Sequence, residues 1–293
     1  MIVLTGDVHH MSLKTNDQNY LQGTEGESAL SYVDIAEKYG FKTTFFCSGQ
    51  LCVEEPHIIE ALASRHSVEI GGHNFSCFQP MLFHRISKKL LGAFHGPAFH
   101  QRREIRRTRE ILTKHSNQSI VSWRNHAYLS DKNTVRLLSE EGIRFYSDER
   151  SNTRLRPYRD VYLTHVPINV MPDHEHLYHA HRTPETVPAW VEKNNFCDCW
   201  GSQSYFADEW AELVIAQAKK IVEQGGVANL LIHPACMEAL DNFETLRFIL
   251  DELASYTNGW MQESAAYVRS GVPSTVPVRD ERHVCQKGAC AHS

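Results

Sequence analysis

The sequence predicts an α/β architecture, a parallel sheet or barrel with helices packed around it. Three observations carry that expectation. Apolar runs of strand length alternate with amphipathic stretches of helix length along nearly the whole chain. Several of those runs end on a polar, chemically capable residue, as strands of parallel α/β proteins do at their C-terminal ends. No internal repeat and no Pro-, Gly- or Ser-rich linker breaks the order before about Ser270. A single domain over 1–270 is therefore expected, followed by a disordered tail over 271–293.

The elements come in this order. Ile2–Thr5 is a short apolar strand. Ser28–Tyr39 has helical periodicity through Leu30, Val33, Ile35 and Ala36, and Gly40 stops it. Thr43–Cys47 is a buried strand, Pro56–Arg65 a helix opened by proline, and Ser67–Ile70 the next strand, running into Gly71-Gly72-His73. A helix over Arg103–Lys114 precedes a strand at Ile120–Trp123. Asp131 caps a helix that runs to Glu141 and ends at Gly142. Strands at Arg144–Ser147 and Val161–Val166, a long helix over Asp208–Gln224, a buried strand at Val227–Ile232 and a helix over Phe243–Tyr256 complete the series.

Composition narrows the function classes. At 42% hydrophobic and 22% charged residues, the 293-residue chain is an ordinary globular protein with material for a sizeable core. A formal charge of −5 does not supply a basic nucleic-acid-binding surface. The basic run Gln101–Arg109 is interrupted by Glu104 and followed by Glu110 at helical spacing, so it is a solvated helix face. The start Met1-Ile-Val-Leu-Thr-Gly-Asp-Val has neither a basic segment nor a long apolar one, and no run is long enough to cross a bilayer. The expectation is a cytoplasmic protein with no nucleic-acid or membrane partner. The eight cysteines form no regular framework, so free thiols are expected rather than disulfides.

Four strand ends carry the chemistry: Asp7 with His9 and His10; His73 with Cys77; Arg124 with His126 and Tyr128; and His233 before Pro234. Each has a bland alternative. Asp7 could cap a turn, His73 could be a satisfied core histidine, Arg124 could pair with a surface carboxylate, and His233 could simply end its strand. Together, at the ends of successive strands, they predict one site.

In this order the segments resemble the polysaccharide deacetylases with the NodB-homology domain (carbohydrate esterase family 4). That family carries an Asp-rich strand end (TFDDG or D-x-D), an H-[ST]-x-x-H after a Gly-rich turn, an R-x-P-aromatic motif, an Asp- or Trp-bearing strand end and a Leu-x-His. The resemblance spans Ile2 to about Tyr267. It implies a distorted (β/α) barrel and a metal-dependent hydrolase of non-peptide carbon–nitrogen bonds, deacetylating an N-acetylated sugar, a related carbohydrate or a small molecule. By the same resemblance Asp7 is the general base, Arg124 orients and charge-balances it, and His233 is the general acid. A divalent metal would polarise the carbonyl.

The chain departs from the family where the metal binds. His9 stands at the second Asp of D-x-D, and Cys77 stands at the second His of the H-x-x-x-H spacing. If both replace the family's ligands, the set is His9, His73 and Cys77, a zinc-compatible trio with a position open for water. The alternatives are a decayed site in an inactive barrel that binds a glycan or protein partner, Asp7 as a ligand itself, or Cys77 as a nucleophile. The segment Asp173-His174-Glu175-His176 to His181 is expected as a loop near the site, with Asp173 or His174 serving metal or substrate. The aromatics Phe75, Phe78, Trp123, Tyr128, Trp200 and Tyr205 are mostly core, with sugar stacking as the alternative. Cys236 is a small buried filler, and Cys285, Cys290 and His292 form an incomplete, unstructured metal motif.

Overall fold

The computed structural model describes residues 1–268; the tail and its Cys285, Cys290 and His292 lie outside them. Eight strands form one sheet: β1 (Ile2–Val8), β2 (Thr43–Cys47), β3 (Val68–Gly72), β4 (Ser122–Trp123), β5 (Phe145–Tyr146), β6 (Tyr158–Arg159), β7 (Thr164–His165) and β8 (Ala228–Leu231). Their order is β6-β7-β5-β4-β3-β2-β1-β8. Every pairing is parallel except β6 with β7. The C-terminal ends of the parallel strands therefore share one rim.

The sheet curls into a half-barrel, and side chains rather than a strand ladder bridge its opening. The Asn229 side chain on β8 donates to Val166 O at 3.2 Å and Ser147 Oγ at 3.0 Å, across the mouth. Asn169 answers by donating to Val227 O at 2.9 Å while its oxygen accepts from the Asn229 backbone N–H at 2.9 Å. Buried amides can do this because each offers donors and acceptors that would otherwise go unpaired. The core lies between the sheet and its helices, around Leu4, Phe45, Ile59, Trp210, Val214 and Leu250.

The α/β class and the distorted barrel are as expected, and local chemistry explains where element boundaries moved. β1 continues to Val8, so Asp7 sits within the strand's last turn of pleat. The first helix begins at Glu25, where Thr24 and Glu27 form a capping box. Gly49–Glu54 is an additional helix capped by Ser48. The helix expected to start on Asp131 starts at Thr134, because the Asp131 carboxylate instead accepts from the Asn133 N–H at 2.8 Å and holds a turn. Val161–Val166 contracts to Thr164–His165, since Asp160 accepts from the Tyr162 and Leu163 N–H groups and turns the chain. The stretch 78–101, which carries no clear pattern in the sequence, forms a helix over Met81–Leu91 and the start of Ala98–Ser116. Pro234 opens a further helix over Pro234–Asp241, leaving Glu244–Leu253 for the last predicted one. Among the described residues no helix is long and apolar enough to cross a membrane.

Candidate active site

The shared rim brings the predicted residues together. Arg124, just past β4, is fully buried and uses its guanidinium as a hub. Nη1 donates to Asp7 Oδ1 at 2.9 Å, Nη2 to Thr5 Oγ1 at 3.0 Å and Ser147 Oγ at 2.9 Å, and Nε to Ser147 O at 3.0 Å. Its planar face lies 4.4 Å from the Phe46 ring centroid. Arg124 is thus no surface ion pair: it ties β1 to the strands beyond β4.

The other Asp7 oxygen, Oδ2, faces His233 Nε2 at 3.6 Å and His73 Nδ1 at 3.8 Å. Burial alone would raise the Asp7 pKa, but Arg124, His73 and His233 outweigh it and hold the carboxyl well below its usual range. His233 is set the opposite way. Burial disfavours its charge, yet Asp173 and Asp7 together lift its pKa well above that of a free imidazole. Asp173 grips it twice, accepting from the backbone N–H and from Nδ1, each at 2.6 Å. An ionised carboxylate therefore faces a protonated imidazole. Asp173 thus partners the histidine, and it sits in a short helix, Asp173–His176, where a loop was expected.

Beside this pair three imidazoles converge. His9 Nε2 lies 3.2 Å from His73 Nε2 and 3.2 Å from His126 Nδ1, and His73 Nε2 lies 3.3 Å from His126 Nδ1. Cys77 Sγ joins the group, all four ligand atoms lying within 4.8 Å of one another. The predicted His9, His73 and Cys77 are thus brought together, with His126 added.

The donor set fits a metal. Glu25 Oε2 accepts from the His9 backbone N–H at 2.8 Å and sits 2.9 Å from His9 Nδ1. A carboxylate only accepts, so Nδ1 carries the proton, which leaves Nε2 as the nitrogen that faces the other two rings. Burial, then the neighbouring cationic groups, push the His73 pKa down to about 3 against the pull of Asp7. Burial and the imidazoles of His9 and His73 depress that of His126. Three ring nitrogens 3.2–3.3 Å apart match the spacing of metal ligands, since tetrahedral bonds of ~2.0–2.1 Å to nitrogen put ligands ~3.3 Å apart. Cys77 is differently placed. Its thiol donates to His73 O at 3.7 Å, and burial raises its pKa well above the usual value, so it is no ready nucleophile.

The local chain explains the approach. A Cβ on Gly72 would come within 2.3 Å of the Trp123 ring, so only glycine lets β3 close on β4 and bring His73 to His126. Asn74, Cys77 and Phe78 take positive φ (56°, 49° and 64°), folding Cys77 back under His73. Trp123 is wholly buried core, as expected.

Sequence reasoning put His126 among the chemically capable strand-end residues but not among the metal ligands, and it missed Glu25 altogether. His126 stands where the R-x-P motif has its proline, a substitution visible beside Arg124. Glu25 follows Thr24 in the capping box, a signal for a helix N-terminus that delivers its carboxylate to His9.

The curled α/β half-barrel is a fold shared with solved structures assigned to the polysaccharide deacetylases. Residues 15–146 match the family model for polysaccharide deacetylase. His73, Cys77, Arg124 and His126 fall inside the matched stretch, and Asp7, His9 and His233 outside it. Among solved structures, a protein from Mycobacterium smegmatis assigned to the polysaccharide deacetylases superposes with TM-score 0.63 at 18% identity, covering 91% of this chain and 89% of its own. Puue allantoinase superposes with TM-score 0.60 at 13% identity, covering 91% and 89%. A mutant of a carbohydrate esterase family 4 pseudoenzyme reaches TM-score 0.50 at 12% identity, covering 92% and 68%. At these identities the likeness is one of fold. Searched against curated proteins, the sequence finds no match.

Proposed function

We propose that the chain is a metal-dependent hydrolase of non-peptide carbon–nitrogen bonds, removing an acyl group from an N-acylated sugar or related carbohydrate. The observation that carries this is Asp7 facing His233 at 3.6 Å beside three converging imidazole nitrogens. His9, His73 and His126 would hold the metal, with Cys77 beside them. Bound there, a zinc-type divalent ion would polarise the amide carbonyl and stabilise charge on its oxygen.

The chain's own groups do the rest. Asp7 Oδ2 takes a proton from water as its oxygen bonds to the acyl carbon. Arg124 keeps Asp7 ionised and aimed by occupying Oδ1. His233 Nε2 gives its proton to the nitrogen as the carbon–nitrogen bond breaks, so the products are a carboxylic acid and an amine. Asp173 fixes the ring's orientation and favours its charged form. Proton return from Asp7 to His233 across their 3.6 Å gap resets both groups.

The test combines elemental analysis of protein purified without a metal-binding tag with acetate release from a panel of N-acetylated sugars. Near-stoichiometric metal that His73→Ala loses, and acetate release that Asp7→Asn and His233→Ala abolish, is the expected result. A protein that takes up no zinc, cobalt or nickel and releases no acetate would be an inactive barrel that binds a glycan or protein.

A further inference from the structure

A second cluster lies on the other side of His233. Asp17, from the short helical turn Asp17–Tyr20, points at the segment that comes after Asp173. His174 Nδ1 lies 3.5 Å from Asp17 Oδ2, His179 Nε2 lies 3.7 Å from Asp17 Oδ1, and His181 Nδ1 lies 2.9 Å from the same Oδ1. Cys236 Sγ, on the helix after His233, is 4.0 Å from His174 Nδ1. The ligand atoms of Asp17, His174, His179 and Cys236 all fall within 4.8 Å of one another.

Asp17 is ion-paired with all three rings, but charge proximity is not hydrogen bonding: Asp17 Oδ1, His179 Nε2 and His181 Nδ1 are buried, and none of the three meets hydrogen-bond geometry with a partner. The His179 side chain is wholly buried and that of Asp17 is 8% exposed. Leaving buried atoms without a hydrogen bond costs about 1–3 kcal/mol each in desolvation, less where an ion pair offsets it, and calls for an ion or an ordered water at their centre. The contacts, from 2.9 to 4.0 Å, bracket ligand-to-ligand spacing, since bonds of ~2.1 Å to nitrogen or oxygen place neighbouring donors ~3.0–3.4 Å apart, so shifts of a few tenths of an ångström would close the set around an ion. The turn that presents the donors is held by paired backbone bonds between His179 and Arg182 at 3.0 and 2.7 Å.

We propose that Asp17, His174 and His179, with His181 and Cys236 at its edge, bind a second divalent transition metal, distinct from the one at His9, His73 and His126. A carboxylate, imidazoles and a thiol select zinc, cobalt or nickel over magnesium or calcium. Such an ion ties the segment after β1 to the one carrying Asp173, and so braces the partner of His233. The inference does not depend on the proposed hydrolysis.

The experiment is metal loading of chelator-treated full-length protein with cobalt(II), then elemental stoichiometry and the visible spectrum of the bound ion. Wild type is expected to hold about two equivalents, and His73→Ala and His179→Ala about one each. Because His179 is buried, His181→Gln is the gentler companion; its side chain is 35% exposed, and it should weaken one of two binding events by about tenfold or more. Binding of a single equivalent that His73→Ala loses and His179→Ala keeps would overturn the second site. A single equivalent kept by His73→Ala and lost by His179→Ala would uphold it while removing the metal from the proposed hydrolase.

Discussion

The two halves of the sheet are built on different principles. β1, β2, β3 and β8 run seven, five, five and four residues, and their ladders and apolar side chains specify them. β4, β5, β6 and β7 have two residues each. That half is held by buried polar networks: Arg124 to Ser147, Asn125 to Asp148 and Tyr146, and Asn229 across the opening. The site straddles the seam. Asp7, His9, His73 and His233 belong to the ends of long strands, whereas Arg124 and His126 come after the short β4. Long strands place catalytic atoms by backbone register; the short ones do so only while every donor and acceptor is satisfied.

The hardest blow to that seam is Arg124→Met. It removes the cation between the halves and leaves Asp7 buried without its partner, which should cost about 3–5 kcal/mol in urea unfolding and abolish acyl-group release. The double variant Asp7→Asn/Arg124→Met should recover much of the stability and none of the activity, since a buried pair replaced as a pair is nearly neutral. If the single variant unfolds at the wild-type midpoint, the two halves do not depend on this hub.

The next effect is on pH dependence in the short-strand half. Burial lifts the Asp148 pKa to about 7, against the hydrogen bonds from Tyr146 and Asn125. For an acid with a folded pKa above its unfolded value of ~3.9, the protonated form favours folding. Its stabilisation is complete below about pH 4 and is lost as pH rises to 7. Asp148→Asn mimics the protonated form. Wild-type stability minus that of the variant should therefore fall by about 2–4 kcal/mol between pH 4 and 7.5 in denaturant titrations. A flat difference would mean that Asp148 stays ionised in the fold.

The same contrast decides how much is legible in the sequence. Ile2–Val8, Thr43–Cys47 and Val227–Ile232 announce themselves by apolar runs, so Asp7 and His233 can be found from the polar residues at the ends of those strands. β6 gives no such signal, because Tyr158 and Arg159 have no apolar periodicity and their pairing with β7 is set by the Asp160 turn. His126 is visible as a residue but not as a ligand, because Ala127 and Tyr128 take positive φ (53° and 55°) directly after it, in a local backbone turn that no pattern encodes. Asp173 stands out in a stretch rich in acidic and imidazole side chains, yet its partner, His233, lies 60 residues away. Long-range pairings of single polar side chains leave no periodic trace.

A smaller effect is expected at the opening of the curl. Asn229→Ala removes the donors to Val166 O and Ser147 Oγ and leaves both buried without that partner. The expected loss is about 1–3 kcal/mol, with metal stoichiometry unchanged because no ligand is touched. Hydrogen exchange should quicken at Val166 and Asn169 while the amides of β2 keep their protection. Uniform loss of protection would show that the half-barrel opens only as a whole.

The smallest effect sharpens the seam itself. Cys77 shares the imidazole cluster, but its thiol donates to His73 O at 3.7 Å, while the three ring nitrogens stand 3.2–3.3 Å apart. A hydroxyl can make the same bond to His73 O. Cys77→Ser should therefore shift stability by no more than about 1 kcal/mol and metal affinity by less than about tenfold. If Cys77 is instead a thiolate ligand, the cobalt(II) derivative will carry a sulfur-to-metal charge-transfer band that the serine variant loses, and affinity will fall far more. That outcome would move the metal toward β3 and make the long-strand half, with His9, His73 and Cys77, sufficient to hold it.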